Sequence, residues 1–242
     1  MTYPRHRLLK AASIVLACLA TASPALAQES IIRKNLAERV PQFPKIDEVR
    51  KSGMPGVYEV RVGTDLFYTD PKGDYLLQGD MLDTRQRKNL TAERVAKLTA
   101  IDFASLPTAD AFTIVRGDGQ RKLAVFEDPN CGYCKHFEKE LQSIDNVTIH
   151  LYLYPILGAD SVDKSNRLWC AKDPAAAWQD WMLRDKAIPA AAGCDTGAIT
   201  RNVALGRKYK ITGTPTLFFA DGSRVPGAID AAQIEKQLST AR

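Results

Sequence analysis

What most constrains the fold of this chain is a change of hydrophobic period across four residues. Residues 121–128 (RKLAVFED) read as a buried strand. Residues 135–144 (KHFEKELQSI) read as an amphipathic helix, because Phe137, Leu141 and Ile144 recur at i, i+4 and i+7. Between them lies Cys131-Gly132-Tyr133-Cys134. Two cysteines at this spacing fall within one helical turn and can cycle between a dithiol and a disulfide. At the start of a helix the unpaired N–H groups and the dipole favour an anion, so the Cys131 thiolate is expected to be stabilised and its pKa lowered. A thiolate is the species that attacks a disulfide. The chemistry expected here is therefore thiol–disulfide exchange.

The flanking pattern extends the unit. Residues 111–116 (AFTIVR) and 147–157 (VTIHLYLYPIL) read as strands on either side of this strand and helix. A strand–helix–strand unit implies a right-handed crossover and parallel pairing. Residues 161–170, 174–184 and 195–210 follow as helices, with Pro174 suited to a first turn. The chain then returns with a strand over residues 213–219, a turn at Asp221-Gly222, a short strand over residues 223–225 and a last helix over residues 230–238. A central sheet with a helical excursion in its middle fits that order.

The first 27 residues carry the marks of an export signal. Arg5, Arg7 and Lys10 are basic, residues 11–20 are apolar, and Ala25-Leu26-Ala27 offers a small-residue cleavage site before Gln28. The apolar run is about half the roughly 20 residues needed to span a bilayer. Cys18 leaves with it. Cleavage removes three basic residues and no acidic one, leaving 30 basic against 28 acidic residues in the remaining 215. A balance so near neutrality argues against a nucleic-acid partner. Export also places the remaining cysteines where disulfides form and persist.

Four cysteines remain, Cys131, Cys134, Cys170 and Cys194, and spacing alone does not choose among three pairings. The first two have a local explanation, which leaves Cys170 and Cys194 as the candidate structural pair. Their spacing matches no usual zinc pattern, and no metal or cofactor is expected.

Ahead of this region, residues 29–40 (ESIIRKNLAERV) predict a helix with Ile32, Leu36 and Val40 on one stripe, ended by Pro41 and Pro44. Residues 57–62, 65–69 and 75–82 read as a β-meander separated by Gly63-Thr64 and by the turn over residues 70–73. A unit of roughly 60 residues is marginal alone. Pairing with a second copy would help it, and a self-sufficient domain remains the alternative. Residues 83–88 (DTRQRK) form a polar break. Residues 90–103 predict a linker helix with Thr91 as N-cap and Val95, Leu98 and Phe103 as its apolar stripe.

Cys131-Gly132-Tyr133-Cys134 at a helix start, with Thr214-Pro215 entering a later strand, resembles the thioredoxin superfamily. Further features resemble the DsbC/DsbG family of bacterial periplasmic thiol:disulfide interchange proteins. They are the export signal, the small β-rich segment, the linker helix, a second cysteine pair in the helical insertion, Trp169-Cys170-Ala171-Lys172-Asp173 and Gly213-Thr214-Pro215. The resemblance covers nearly all of the chain after residue 27. It implies an α/β, thioredoxin-like catalytic domain with a helical insertion over residues 106–242. A small α+β (cystatin-like) dimerisation domain over residues 28–88 and a linker helix over residues 89–105 would precede it.

The same resemblance implies Cys131 as nucleophile and Cys134 as resolving thiol. Gly132, Tyr133, Thr214 and Pro215 would face the substrate, with a cis peptide bond before Pro215; the plainer reading is that Pro215 begins an edge strand. It also implies a V-shaped homodimer that holds unfolded chains by apolar contacts. Because the sequence has no NADPH or flavin signature, it implies a membrane thiol reductase of the DsbD type as electron donor. The activity expected is isomerisation of wrong disulfides in exported proteins, with chaperone activity. A reductase or oxidase of the DsbG type and a mainly non-catalytic chaperone are the alternatives.

Four neighbours of the dithiol have ionisable side chains. Glu127 or Asp128 would serve as a proton relay to Cys134, or both are polar punctuation at a strand end before Pro129. Lys135 and His136 read as solvated helix residues, with assistance to the thiolate as the sharper alternative.

Overall fold

The computed structural model describes residues 24–190 and 193–241. Residues 1–23, most of the expected export signal, lie outside the described residues, and residues 24–27 belong to the first helix. The chain forms two compact units, one ending at Gly79 and the other beginning at Asp80.

In the first unit, helix α1 (Pro24–Arg39) lies against an antiparallel sheet of strands β1 (Glu48–Lys51), β2 (Tyr58–Val62), β3 (Asp65–Thr69) and β4 (Leu76–Leu77) in that order. Ile32 and Leu36 of α1 meet Val49 and Val60 of the sheet to make a small core. Phe43 and Phe67 pack edge to face at 5.1 Å beside it. Strand β1 is not foreseen in the sequence, because Glu48, Arg50 and Lys51 give it a charged face. It forms because those charges find cross-strand partners on β2: Arg50 pairs with Glu59 at 2.8 Å and Glu48 with Arg61 at 2.9 Å.

The expected strand over residues 75–82 is instead two. β4 ends the first sheet, and β5 (Leu82–Asp83) pairs with β6 (Lys88–Asn89) as a hairpin in the second unit. Gly79, at φ +156°, breaks the run between them. The supposed polar break over residues 83–88 is that hairpin's turn, in which Asp83 Oδ1 accepts from the Arg85 and Gln86 N–H groups. Helix α2 (Leu90–Thr99) is shorter than expected. Its N-cap is Asn89, which accepts from Ala92 N–H at 2.9 Å, and not Thr91, whose hydroxyl accepts from Met81 N–H.

The second unit is built on a five-stranded sheet in the order β11-β10-β8-β9-β7. Its strands are β7 (Phe112–Arg116), β8 (Arg121–Glu127), β9 (Val147–Leu153), β10 (Thr216–Phe219) and β11 (Arg224–Pro226). β8 and β9 are parallel, joined across helix α3 (Gly132–Leu141), and the remaining neighbours are antiparallel. β9 stops at Leu153, short of the expected residue 157, as Pro155 and Gly158 (φ +116°) enter the chain.

Alternation along β8 sends Leu123 and Val125 to one face of the sheet and Ala124 and Phe126 to the other. On the first face they meet Phe137 and Leu141 of α3, Trp178 and Met182 of α5 (Pro174–Arg184), and Ile234 and Leu238 of α7 (Ala231–Thr240). On the second, Phe126 stacks on Tyr152 at 4.7 Å and meets Tyr154 and Phe218 edge-on. Val203 and Leu205 of α6 (Gly197–Lys208) cover that cluster. Buried on both faces from Leu123 to Glu127, β8 is enclosed where it delivers the chain to Cys131.

Helix α4 (Ala159–Trp169) precedes α5, and a disulfide joins Cys170 to Cys194 with Cα atoms 5.7 Å apart. Trp169 Nε1 donates to Asp195 O at 3.1 Å, so the residues on both sides of the bridge are tied together. Asp173 caps α5 by accepting from Ala176 N–H, with Pro174 in the first turn. A loop of about 25 residues implies that replacing both cysteines by alanine lowers stability by roughly 3–4 kcal/mol. Urea unfolding of the double variant, with the Cys131–Cys134 pair kept reduced in both proteins, measures this.

Candidate active site

β8 ends at Glu127 and α3 begins at Gly132, so the handover takes four residues. Asp128, fully buried, organises them. Its carboxyl accepts from Asn130 N–H and Ser161 Oγ through Oδ1, and from the Ile156 and Leu157 N–H groups through Oδ2, all at 2.7–3.0 Å. Its carbonyl accepts from Cys131 N–H at 3.0 Å. Trp181 of α5 adds a bond from Nε1 to Pro129 O at 2.6 Å, and Lys135 and Lys164 sit over its ring at 4.8 and 4.6 Å.

Cys131 is the N-cap of α3, and its Sγ accepts from Cys134 N–H at 3.3 Å. Facing it is the turn before β10, where Thr214-Pro215 is a cis peptide bond and Thr214 O lies 3.2 Å from Cys131 Sγ. The two sulfurs sit in opposite surroundings. Cys131 is 6 % exposed, beside the projecting Tyr133 (74 %), whereas Cys134 is sealed. The Cys131 pKa falls from 9.0 to about 6. Its largest cause is the Cys134 thiol donating to the Cys131 sulfur, followed by the Thr214 side chain and the backbone N–H groups of Cys134 and Tyr133. The helix terminus expected from the sequence thus contributes, but less than the partner thiol. Burial pushes the Cys134 thiol far upward, reinforced by the Cys131 sulfur and the Glu127 charge.

The fold therefore brings Cys131, Gly132, Tyr133, Cys134, Thr214 and Pro215 together, while Cys170 and Cys194 form their bridge elsewhere in the same unit. A Cβ on Gly132 or on Gly213 would meet nothing within 4 Å, so the rim of the dithiol is open on both sides. The arrangement sets one sulfur of lowered pKa beside the Thr214 turn and a second, sealed sulfur of raised pKa behind it.

The comparisons with known proteins agree with this geometry. Residues 108–242 match the thioredoxin-like domain family, and residues 23–92 match the disulfide bond isomerase protein N-terminal domain. A probable thiol:disulfide interchange protein DsbC of Bordetella pertussis is 42 % identical over 211 residues, covering 87 % of this chain and 74 % of that protein. The chain belongs to the DsbC family. It is a thiol:disulfide interchange enzyme. The thiol:disulfide interchange protein DsbC of Escherichia coli is 28 % identical over 211 residues, with 84 % of each chain covered. Among solved structures, a disulfide interchange protein from Neisseria gonorrhoeae superposes with a TM-score of 0.54 at 35 % identity, covering 56 % of this chain and 98 % of that one.

Of these ionisable neighbours, Asp128 is committed to the loop and Lys135 pairs with Asp185 while lying over the Trp181 ring. His136 is exposed. Two participants escaped the sequence reading. Trp181 lies about 50 residues from the loop it braces, which no local pattern reveals. Glu138 is buried beside Glu127, and its signal was present: it stands four residues after Cys134, on the apolar stripe that includes Phe137 and Leu141.

The shifted thiol gives a direct expectation. Alkylation of reduced protein should rise with pH through a midpoint near 6, as the Cys131 thiolate forms, and be near its plateau at neutrality. Thr214→Ala removes one donor to the thiolate and should move the midpoint upward; a pH series of single-turnover alkylation rates measures both.

Proposed function

We propose that this enzyme is a disulfide isomerase of exported proteins, acting through a reduced Cys131–Cys134 dithiol in the periplasm. The observation that carries this reading is the asymmetry of the two sulfurs: a Cys131 that is 6 % exposed and has its pKa lowered to about 6, beside a fully sealed Cys134 whose pKa is raised. Cys131 attacks a wrong disulfide and forms a mixed disulfide with one substrate sulfur, while the other leaves as a thiolate. That freed thiolate attacks a further substrate disulfide, and a later substrate thiolate displaces Cys131. Substrate pairings change with no net oxidation. When the substrate stalls, Cys134 attacks Cys131 Sγ and releases the substrate reduced. A buried Cys134 of raised pKa makes that exit slow and leaves time for reshuffling. Gly132, Tyr133, Thr214 and Pro215 form the surface against which the substrate chain lies.

Return of the dithiol to its reduced form falls to an external thiol donor, a membrane reductase of the DsbD type. Within this reading, residues 28–88 form a dimerisation domain, residues 89–105 a linker and residues 106–242 the catalytic domain. The first unit supports pairing with a second copy. Its core is small, and β4 ends its sheet with Tyr75 and Leu77 projecting, 74 % and 64 % exposed. A homodimer presents two dithiols to one unfolded chain, and chaperone activity follows from its apolar contacts.

The test is recovery of activity from a scrambled multi-disulfide protein by residues 28–242 with the dithiol pre-reduced. Native pairing should return at substoichiometric enzyme. Cys131→Ser should abolish it, and Cys134→Ser should retain part of it while accumulating mixed disulfides. Reduction without native pairing would mark a reductase of the DsbG type instead. Sedimentation at micromolar concentration should give a dimer; a monomer refutes the assignment of residues 28–88.

A further inference from the structure

Two of the residues that lead from β8 to α3 are held from outside the loop. Pro129 is buried, and its carbonyl accepts from Trp181 Nε1 of α5 at 2.6 Å. Asn130, the residue before Cys131, gives both ends of its side chain to α4. Its Oδ1 accepts from Lys164 Nζ at 2.7 Å, and its Nδ2 donates to Asp160 Oδ2 at 2.7 Å and to Ser161 Oγ at 3.0 Å. Lys164 Nζ also donates to Asp160 Oδ2 at 2.7 Å and lies 4.6 Å from the centre of the Trp181 ring. Lys135, the residue after Cys134, lies 4.8 Å from the same ring and pairs with Asp185. One indole and one ammonium thus connect α4, α5, the start of α3 and the loop that carries the reactive sulfur.

A lysine on a helix surface ordinarily leaves its ammonium in water, because ordering the side chain costs rotamer entropy. The Lys164 side chain is only 20 % exposed, and its ammonium has two oxygen partners and an aromatic face. These bonds end on Pro129 and Asn130. Asp128 already ties the Asn130 and Cys131 N–H groups from the inner side. The loop is therefore gripped from two directions. Cys131 Sγ lies 3.2 Å from Thr214 O and 3.3 Å from Cys134 N, so a loop displaced by about 0.5 Å changes both contacts.

We infer that Trp181 and Lys164 are positioning residues for disulfide attack: acting through Pro129 and Asn130, they aim the Cys131 sulfur at a disulfide laid beside the Thr214 turn. The inference rests on Cys131 as the nucleophile. The step they serve is the first exchange. The Cys131 thiolate attacks one substrate sulfur and forms a bond to it. The substrate S–S bond breaks, and the other sulfur leaves with the electron pair as a thiolate. This displacement needs three sulfurs in line, so its rate falls steeply when the attacking sulfur is misplaced. Attack on a small alkylating agent arriving from free solution makes no such demand. Loss of aim therefore slows the two reactions unequally, whereas a change in thiolate fraction alters both alike.

The test compares two rates at one pH in full-length reduced protein. A Cys134→Ser background stops the reaction at the mixed disulfide. One reagent is iodoacetamide and the other is a peptide closed by a single disulfide. Trp181→Phe keeps an aromatic face for both lysines but has no N–H for Pro129. It should lower the ratio of peptide rate to alkylation rate by roughly 10-fold, against a loss of about 100-fold for a misplacement of about 1 Å. Lys164→Met keeps the stem without the ammonium and should lower the ratio comparably. Asn130→Ala removes the group through which Lys164 acts and should do the same. A ratio unchanged in W181F or in K164M, whether both rates hold or fall together, overturns the inference. If W181F does not fold, as judged by thermal unfolding, an unchanged ratio in K164M or N130A overturns it. A parent protein that alkylates but never attacks the peptide disulfide would instead refute the Cys131 mechanism itself.

Discussion

The site depends first on the buried carboxyl of Asp128. Four residues must turn a strand into a helix, and their N–H groups have no sheet or helix partners of their own. Asp128 gathers donors from its own loop, from the segment after β9 and from α4. One side chain thereby fixes the ends of three elements relative to each other. Cys131 inherits its place from that arrangement, since its N–H is bonded to the Asp128 carbonyl. Trp181 bonds the next carbonyl, that of Pro129, so the loop is braced from α5 as well. A reactive sulfur must be held within a fraction of an ångström for in-line attack, and a loop pinned at successive residues provides that better than a free turn.

From this placement follows the division between the sulfurs. The N-cap position points Cys131 Sγ back over the first turn, where Cys134 and its N–H meet it and where the Thr214 turn closes from the far side. Cys134, three residues later, points into the apolar stripe of α3 and is enclosed by the helix's own packing. Each sulfur's environment acts on the other. The protonated Cys134 thiol donates to the Cys131 thiolate, which stabilises the charge on one and opposes charge on the other. Helix position, the Thr214 turn and unequal burial together make the pair unequal.

Much of this was legible in the sequence because it is local. The period change around residue 131, the Cys-x-x-Cys spacing, the Asp173-Pro174 cap and the Asp221-Gly222 turn each depend on residues within a few positions of one another. The Thr214-Pro215 turn became legible only through family resemblance, since its role lies in facing a sulfur 83 positions away. What was not legible depended on partners distant in the chain. β1 looks polar until Arg61 and Glu59 arrive across the sheet. Thr91 looks like a cap until the β5–β6 hairpin gives Asn89 that position and Met81 N–H claims the Thr91 hydroxyl. Trp181 is an unremarked aromatic on an amphipathic helix until α5 packs beside α3. The conflicts between local signal and final structure thus fall where tertiary pairing supplies what the segment lacks.

Glu138 is the sharpest of these conflicts, and its cost bears on how it is to be understood. It occupies a position on the buried stripe of α3 that a leucine would fill without penalty. Burying a carboxyl there forfeits hydration worth several kcal/mol if it ionises, and placing a second carboxyl beside it makes double ionisation worse. Trp178 recovers part of that through one hydrogen bond, and Arg116 contributes from β7 at longer range. Neither satisfies Glu138 Oε2 or either oxygen of Glu127. A purely structural polar pair would be expected to close its hydrogen bonds, as Asp128 does a single residue away. Asp128 and Glu127, one residue apart, are buried alike but bonded differently: the first gives its oxygens to four donors and holds the loop, while both oxygens of the second have no well-formed hydrogen bond among the described residues.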